Sequence, residues 1–185
     1  IHAFYKNPNR QKGTGVQVSI SCASFIPKPF TPFQWEPEDS MESLKYKQEH
    51  LLQSIPSRKI KVSYHETPTS LLEGVLARGD RRLGKVLLDA FRLGCKFDSW
   101  DDRFNFDAWM KAFEKNNIDP HFYTKRSRPF SELLPWDHLD FGVSRKFLES
   151  ENIKAHENKT TPHCRIKCAG CGANKLNGGH CDARS

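Results

Sequence analysis

Two short segments in the first third of the chain alternate between apolar and polar residues, which is the pattern of a half-buried strand. In VQVSISC, one face carries Val16, Val18, Ile20 and Cys22, and in KIKVSY, one face carries Ile60, Val62 and Tyr64. Between the two segments, apolar residues recur at helical spacing, with Asp39 or Ser40 as the N-cap and Pro56 as the stop. The order strand, helix, strand predicts a βαβ unit with parallel strands.

A proline-rich segment, IPKPFTPFQWEP, follows the first strand. Its four prolines exclude both a helix interior and a central strand, so we expect a rigid loop that is rich in aromatic residues. α/β proteins commonly carry binding groups in the loops at the carboxyl ends of their strands. This segment is therefore a candidate binding region.

Beyond the second strand, the spacing of apolar residues becomes helical. Ser70 and Glu73 form a capping box for one long helix that ends at Gly94. A further helix is expected around residues 106 to 113, and Ser144 is placed to cap a last one. The chain thus divides into a strand-containing part, a mainly helical region and a Cys-rich tail, at residues 1–66, 67–156 and 157–185.

The chain has 185 residues and a net charge of +7, and 28% of its residues are charged. Thirteen Phe and four Trp residues supply bulky core material for a folded protein with a polar surface. The first residue is Ile1, which suggests a processed product or a piece of a longer protein. No segment approaches the ~18 apolar residues of a membrane span, and no signal peptide is recognisable. We therefore expect a cytoplasmic protein without a membrane partner.

Four of the six cysteines lie in the tail, at Cys164, Cys168, Cys171 and Cys181. Clustered cysteines in a cytosolic chain favour metal binding over a disulfide scaffold. The Cys-x2-Cys-Gly step that ends at Gly172 suits a tight knuckle in which the glycine adopts a positive φ. Four thiolates would close a tetrahedral zinc site, whereas three would hold a four-iron cluster, and the spacing leaves both open.

Two other groups of residues are candidates for binding or catalysis. Arg78 and Arg82 are four residues apart in the predicted long helix, so they would project from one face and could grip a carboxylate or phosphate. A solvated surface with Asp80 as the local counter-charge explains the same pattern. Asp137 and His138 are adjacent and could provide an oriented general base, although a structural turn also accounts for this motif.

Five separated blocks of the sequence resemble one known protein family. The blocks are VSISCASFIPKPFTPFQWEP, LLEGVLARGDRRLGKVLLDAFRLGCKFDSW, FDAWMKAFEKNNIDPHFY, LPWDHLDFGVSRKFL and TPHCRIKCAGCG. In this order, they resemble the C-terminal portion of uncharacterised radical S-adenosylmethionine (radical SAM) proteins that carry an N-terminal cobalamin-binding-like domain. The resemblance covers nearly the whole chain from about Val16.

The resemblance implies that residues 1–66 are the C-terminal part of a partial TIM-type barrel, followed by a helical cap and the Cys-rich tail. In such proteins, a Cys-x3-Cys-x2-Cys loop of the barrel holds a four-iron four-sulfur cluster, and this loop would lie upstream in the same polypeptide. Cys164, Cys168 and Cys171 have the same spacing but follow the helices. We therefore interpret them, with Cys181, as a separate site for zinc or a second iron-sulfur cluster.

The resemblance also implies where S-adenosylmethionine or substrate would bind, while catalytic residues remain unassigned. The candidate residues are Ser24, Pro27, Lys28, Gln34, Trp35, Arg78, Arg82, Asp137 and His138. The first three would lie near cofactor or substrate, and Gln34 and Trp35 near the rim of the pocket. An electron donor such as flavodoxin or ferredoxin is an expected partner, cobalamin is a candidate cofactor, and the unknown substrate is either a small molecule or RNA.

A nucleic-acid-binding module is the alternative function. From Lys154 onward the tail carries four Lys and two Arg against Glu157 and Asp182. A basic tail, a zinc knuckle and exposed aromatic residues are features of proteins that bind single-stranded RNA. However, the chain has no recognisable RNA-binding motif, and most of its aromatic residues fall at core-like helical spacing.

Overall fold

The structure is a computed structural model that describes residues 2–9, 13, 15–100 and 102–179. Within these residues the chain is mixed α/β, with seven α-helices, one 3-10 helix and one two-stranded sheet. The elements are α1 (His2–Lys6), β1 (Val18–Cys22), α2 (Met41–Gln53), β2 (Ile60–Tyr64), α3 (Thr67–Arg78), α4 (Leu83–Arg92), α5 (Phe106–Lys115), α6 (His121–Thr124), α7 (Arg145–His156) and the 3-10 helix (Ala173–Asn177).

The first half of the chain forms the predicted βαβ unit. β1 and β2 are parallel, with a register that runs from Val18 opposite Ile60 to Cys22 opposite Tyr64. Ser40 caps α2 between the strands, because its hydroxyl accepts a hydrogen bond from the backbone N–H of Ser43 at 3.1 Å. The register of β1 and β2 confirms the expected parallel pairing.

The two-stranded sheet is open to solvent. No residue of β1 or β2 is fully buried, and Ile20 at the centre of β1 remains 37% exposed. Parallel sheets usually have both faces covered by other elements. Among the described residues the sheet has two strands, so the expected barrel remains a hypothesis.

The predicted long helix is wrong, because the chain forms two helices in its place. α3 begins at Thr67, three residues before the predicted capping box, and ends at Arg78. Gly79 is extended, with ψ of 169°, and the side chain of Asp80 accepts a hydrogen bond from the backbone N–H of Arg82 at 2.9 Å. Arg78 and Arg82 are therefore not an i, i+4 pair on one helical face.

Two hydrophobic clusters form the core. The first joins α3, α4, α5 and α6 and includes Leu72, Val75, Val86, Trp109, Phe113 and Tyr123. The second joins the proline-rich segment to α7 and the region before it and consists of Trp35, Leu134, Trp136 and Leu148. No helix in the part of the chain that the structure describes is long and apolar enough to cross a membrane.

Candidate functional site

The proline-rich segment, residues 26 to 37, lies along α3. Just before it, the hydroxyl groups of Ser24 and Ser70 are 3.0 Å apart, and further along Lys28 Nζ donates to Glu73 Oε1 at 2.5 Å. Pro27 is fully buried between these two contacts. Ser24, Pro27 and Lys28 therefore hold the segment against α3, as a structured wall beyond the end of β1.

A cavity of about 180 Å³ lies at the carboxyl ends of the two strands. The cavity is lined on one side by residues at or just after the strand ends, Cys22, Ser24 and Tyr64. The other side is lined by Lys47 and Gln48 of α2. The carboxyl ends of parallel strands are the usual place for ligands in α/β proteins. Of the predicted site residues, Ser24 alone lines this cavity.

Gln34 connects the proline-rich segment to two other regions. Its side-chain Oε1 accepts hydrogen bonds from Trp136 Nε1 at 2.7 Å and from the backbone N–H of Phe30 at 3.0 Å. Its backbone oxygen accepts from Arg78 Nη2 at 3.4 Å. Gln34 is 3% exposed and Trp35 is 1% exposed, so the structure places both in the interior.

A second cavity, of about 420 Å³, is lined by Gln34, Asp137, His138 and Lys175 among others. Asp137 Oδ2 accepts hydrogen bonds from Arg145 Nη1 at 2.5 Å and from the backbone N–H of Leu134 at 2.8 Å. This carboxylate therefore orders the turn before α7. The exposed His138 lies on the wall of the cavity.

Arg78 and Arg82 line a third cavity, of about 220 Å³, although they lie on either side of the break between α3 and α4. Arg82 forms a forked ion pair with Asp80, whose carboxylate oxygens lie 2.7 to 3.1 Å from Nε and Nη2. Arg78 is 0% exposed. The structure thus brings together the two arginines that the sequence singled out. They meet across the break between α3 and α4, whereas the sequence predicted that they share one face of a single helix.

Among the residues that the sequence reasoning missed are one buried and one half-buried ionisable side chain. Arg128 is 4% exposed and lines the same cavity as Arg78. Glu38 is half-buried and packs against Gly74, where a Cβ atom would lie 1.9 Å from Glu38 Oε1. Burial raises the pKa of Glu38 to about 8, against the opposing effect of Lys28. Their burial depends on tertiary packing, for which the local sequence carries no signal.

The Cys-rich tail is docked against the start of α7. The backbone N–H of Ser144 donates to the carbonyl of Cys171 at 2.8 Å. Gly172 has a φ of +93°, as the knuckle prediction requires. Cys164 and Cys168 are exposed, Cys171 is half-buried, and all three are free thiols.

The expected metal site is only partly within the described residues. Cys181 lies outside them, and no three His, Cys, Asp or Glu side chains gather into a metal site in the part that is described. Accessible thiolates are nevertheless the donors that zinc and iron-sulfur clusters take. The donor chemistry therefore fits either group, and both remain proposals.

The comparisons with known proteins give no relative of this chain. No family model, no curated protein and no solved structure matches it.

Proposed function

We propose that the chain is the C-terminal part of a radical SAM enzyme that acts on an unidentified substrate. The observation that carries the proposal is the parallel β1–α2–β2 unit with a cavity of about 180 Å³ at the carboxyl ends of its strands. The five sequence blocks provide the resemblance to the family. Both faces of the sheet are open, whereas parallel sheets usually have both faces covered, so further elements packed on this sheet, as in a barrel, would account for its exposure.

In this proposal the residues described here bind substrate and exclude water. The upstream cluster and S-adenosylmethionine would supply the 5′-deoxyadenosyl radical, with flavodoxin or ferredoxin as electron donor. Ser24 lines the cavity at the end of β1, where a ligand held by a barrel would lie. Lys28 pairs with Glu73 and holds the following segment against α3. The tail cysteines would hold zinc or a second cluster, and cobalamin is a further candidate cofactor.

Release of 5′-deoxyadenosine tests this function. The full-length gene product, purified anaerobically with its cluster loaded, is incubated with S-adenosylmethionine, a reductant and fractions of cellular small molecules or RNA. We expect 5′-deoxyadenosine above the level of a control without reductant, and more of it with the fraction that contains the substrate. No release with any fraction, despite a loaded cluster, would contradict the proposal.

An exposed aromatic pair favours nucleic-acid binding as the second candidate function. Phe97 and Trp100, in the turn after α4, are 75% and 67% exposed. Phe97 adopts a positive φ of 60°, a conformation that costs energy in a non-glycine residue. Exposed aromatic rings beside basic residues such as Lys96 are the platforms on which single-stranded bases stack.

Single-stranded RNA binding at low ionic strength tests the second candidate. We expect Trp100→Ala to weaken binding about tenfold, because one stacked base contributes ~1–3 kcal/mol. Tyr46→Ala, which removes another exposed aromatic ring from α2, is the matched control and should bind as the unchanged chain does. Absence of binding, or equal loss in both variants, would exclude a stacking platform at Trp100.

A further inference from the structure

The cavity between the end of α3 and the segment after α6 is lined by an excess of arginine. Four arginines, Arg78, Arg82, Arg126 and Arg128, face two acidic residues, Asp80 and Glu132. The volume of about 220 Å³ is several times the ~30 Å³ of one water molecule. The cavity therefore has room for a small anionic group and an excess of two positive charges around it.

The two acids are already engaged by the outer arginines. Asp80 forms its forked pair with Arg82, and both oxygens of Glu132 accept hydrogen bonds from Arg126, at 2.5 and 2.7 Å. The guanidinium carbons of Arg82 and Arg126 also lie 5.3 and 4.5 Å from the ring centroid of Phe122. Cation–π contact and ion pairing thus fix these two side chains at the cavity.

The two inner arginines lack a full set of partners. Nε and Nη1 of Arg78 are buried without a hydrogen-bond partner among the described residues, and Nη2 has only the long contact to Gln34. Nε and Nη1 of Arg128 are in the same state, although Nη2 donates to the carbonyl of Tyr123 at 2.9 Å. Glu132 Oε1 lies 3.8 Å from Arg128 Nε, beyond hydrogen-bond distance.

Nearby groups neutralise Arg78 and Arg128 only in part at neutral pH, because the Glu132 carboxylate is shared between Arg126 and Arg128. Burial raises the pKa of Glu38, which interacts with Arg128, to about 8, so the carboxyl group is mostly protonated at pH 7. Burial and the Asp80 carboxylate raise the pKa of Tyr123, which keeps its hydroxyl a proton donor. A buried charge without a partner costs several kcal/mol, and a planar guanidinium matches the geometry of phosphate oxygens.

We infer that Arg78 and Arg128 bind the phosphate group of a phosphate monoester in this cavity. A monoester carries close to two negative charges at neutral pH, which offsets the two inner guanidinium groups. Its oxygens are acceptors for charge-assisted hydrogen bonds from the unpaired N–H groups of these guanidinium groups. The inference concerns binding alone, so it holds or fails independently of the radical chemistry proposed above.

Phosphate binding by the 185-residue chain can be measured by titration calorimetry in a chloride buffer. The probes are inorganic phosphate, glycerol 3-phosphate as a monoester, dimethyl phosphate as a diester and acetate. We expect the first two to bind at least about tenfold more tightly than the diester or acetate. Equal binding of acetate would reassign the site to carboxylates, and a preference for the diester would point to a nucleic-acid backbone; either result would overturn the inference.

The variants Arg78→Met and Arg128→Met keep the bulk of each side chain and remove its charge. We expect each to weaken phosphate binding at least about tenfold, since each removes charge-assisted hydrogen bonds to the phosphate oxygens. Arg92→Met, at the far end of α4 with 64% of its side chain exposed, is the matched control and should bind phosphate normally.

Thermal unfolding of the same variants separates a ligand role from a structural one. Without phosphate, we expect Arg78→Met to unfold at the same or a higher temperature than the unchanged chain, because it removes a buried uncompensated charge. With phosphate, only the unchanged chain and Arg92→Met should be stabilised. Loss of folding in both inner variants, or undiminished phosphate binding by them, would show that these arginines serve the fold alone.

Discussion

Trp136 donates a hydrogen bond from its indole Nε1 to Oε1 of Gln34 at 2.7 Å, across 102 residues of sequence. The bond joins the proline-rich segment after β1 to the turn that precedes α7. Both side chains are buried, so loss of this bond would leave a buried polar group without its partner. Phe30, Gln34 and Trp136 all line the cavity of about 420 Å³, so one wall of that cavity depends on this amide.

Gln34→Leu should lower the free energy of unfolding by about 1–3 kcal/mol, because it leaves the Trp136 indole and the Phe30 amide without their acceptor. Urea unfolding measures the change. Gln53→Leu, at an exposed position near the end of α2, is the control and should change stability by less than about 0.5 kcal/mol. A loss from Gln34→Leu no larger than this control would mean that the amide does not join the two segments.

Much of the βαβ unit could be predicted because its signals are local. Alternating side chains define β2, where Ile60, Val62 and Tyr64 are half-buried and the residues between them are exposed. The cap of α2 was predicted at Asp39 or Ser40 and that of α7 at Ser144, and Ser40 and Ser144 accept the expected backbone hydrogen bonds. These features depend on residues within one or two turns of each other.

The break between α3 and α4 could not be predicted, because the apolar stripe has the same period on both sides of it. The break depends on the close approach of Gly79 to Leu83 and on the Asp80 side chain, which replaces a helical partner of the backbone. The contribution of Arg128 to the cavity beside Arg78 and Arg82 was missed for a related reason. Whether Arg128 is solvated or buried depends on packing that its neighbours in sequence do not encode.

Gly79→Ala should destabilise the chain by about 1–3 kcal/mol. The added Cβ would lie 2.0 Å from Leu83 Cδ1 and 2.9 Å from the backbone oxygen of Val75, and the backbone oxygen cannot move aside easily. Gly84→Ala is the matched control inside α4, where a Cβ meets nothing within 4 Å. We expect the Gly84→Ala variant to have a free energy of unfolding up to ~1 kcal/mol higher than the unchanged chain, since alanine has a higher helix propensity than glycine. Equal effects in thermal unfolding would refute the tight approach at Gly79.

The metal content of the 185-residue chain after anaerobic purification should distinguish zinc from an iron-sulfur cluster at the tail cysteines. Bound iron with a brown colour that bleaches in air indicates an iron-sulfur cluster, whereas colourless protein with stoichiometric zinc indicates a structural knuckle. Cys168→Ser should lose the metal, because it removes one thiolate of the Cys-x2-Cys step. Cys22→Ser, at the end of β1, should retain it. The same metal content in both variants would rule out the tail as the site.

Glu38→Gln should raise stability at alkaline pH and change the pH dependence of unfolding. The carboxyl group has a pKa of about 8 in the folded chain because of burial, against a reference value of 4.5. Between these values the folded state binds one more proton than the unfolded state, so the contribution of Glu38 to stability is full below pH 4.5 and is lost as the pH rises through 8. Glutamine carries no charge at any pH and therefore avoids this loss.

Urea unfolding at several pH values from 5 to 9 measures the effect. At pH 5 we expect Glu38→Gln to unfold with nearly the same free energy as the unchanged chain. At pH 9 we expect its free energy of unfolding to be higher by about 1–3 kcal/mol. At that pH the unchanged chain buries a carboxylate oxygen that has no hydrogen-bond partner among the described residues. Glu49→Gln, on the exposed side of α2, should show no such divergence. A difference between Glu38→Gln and the unchanged chain that stays constant with pH would mean that Glu38 is ionised throughout, and Arg128 would then have a permanent counter-charge.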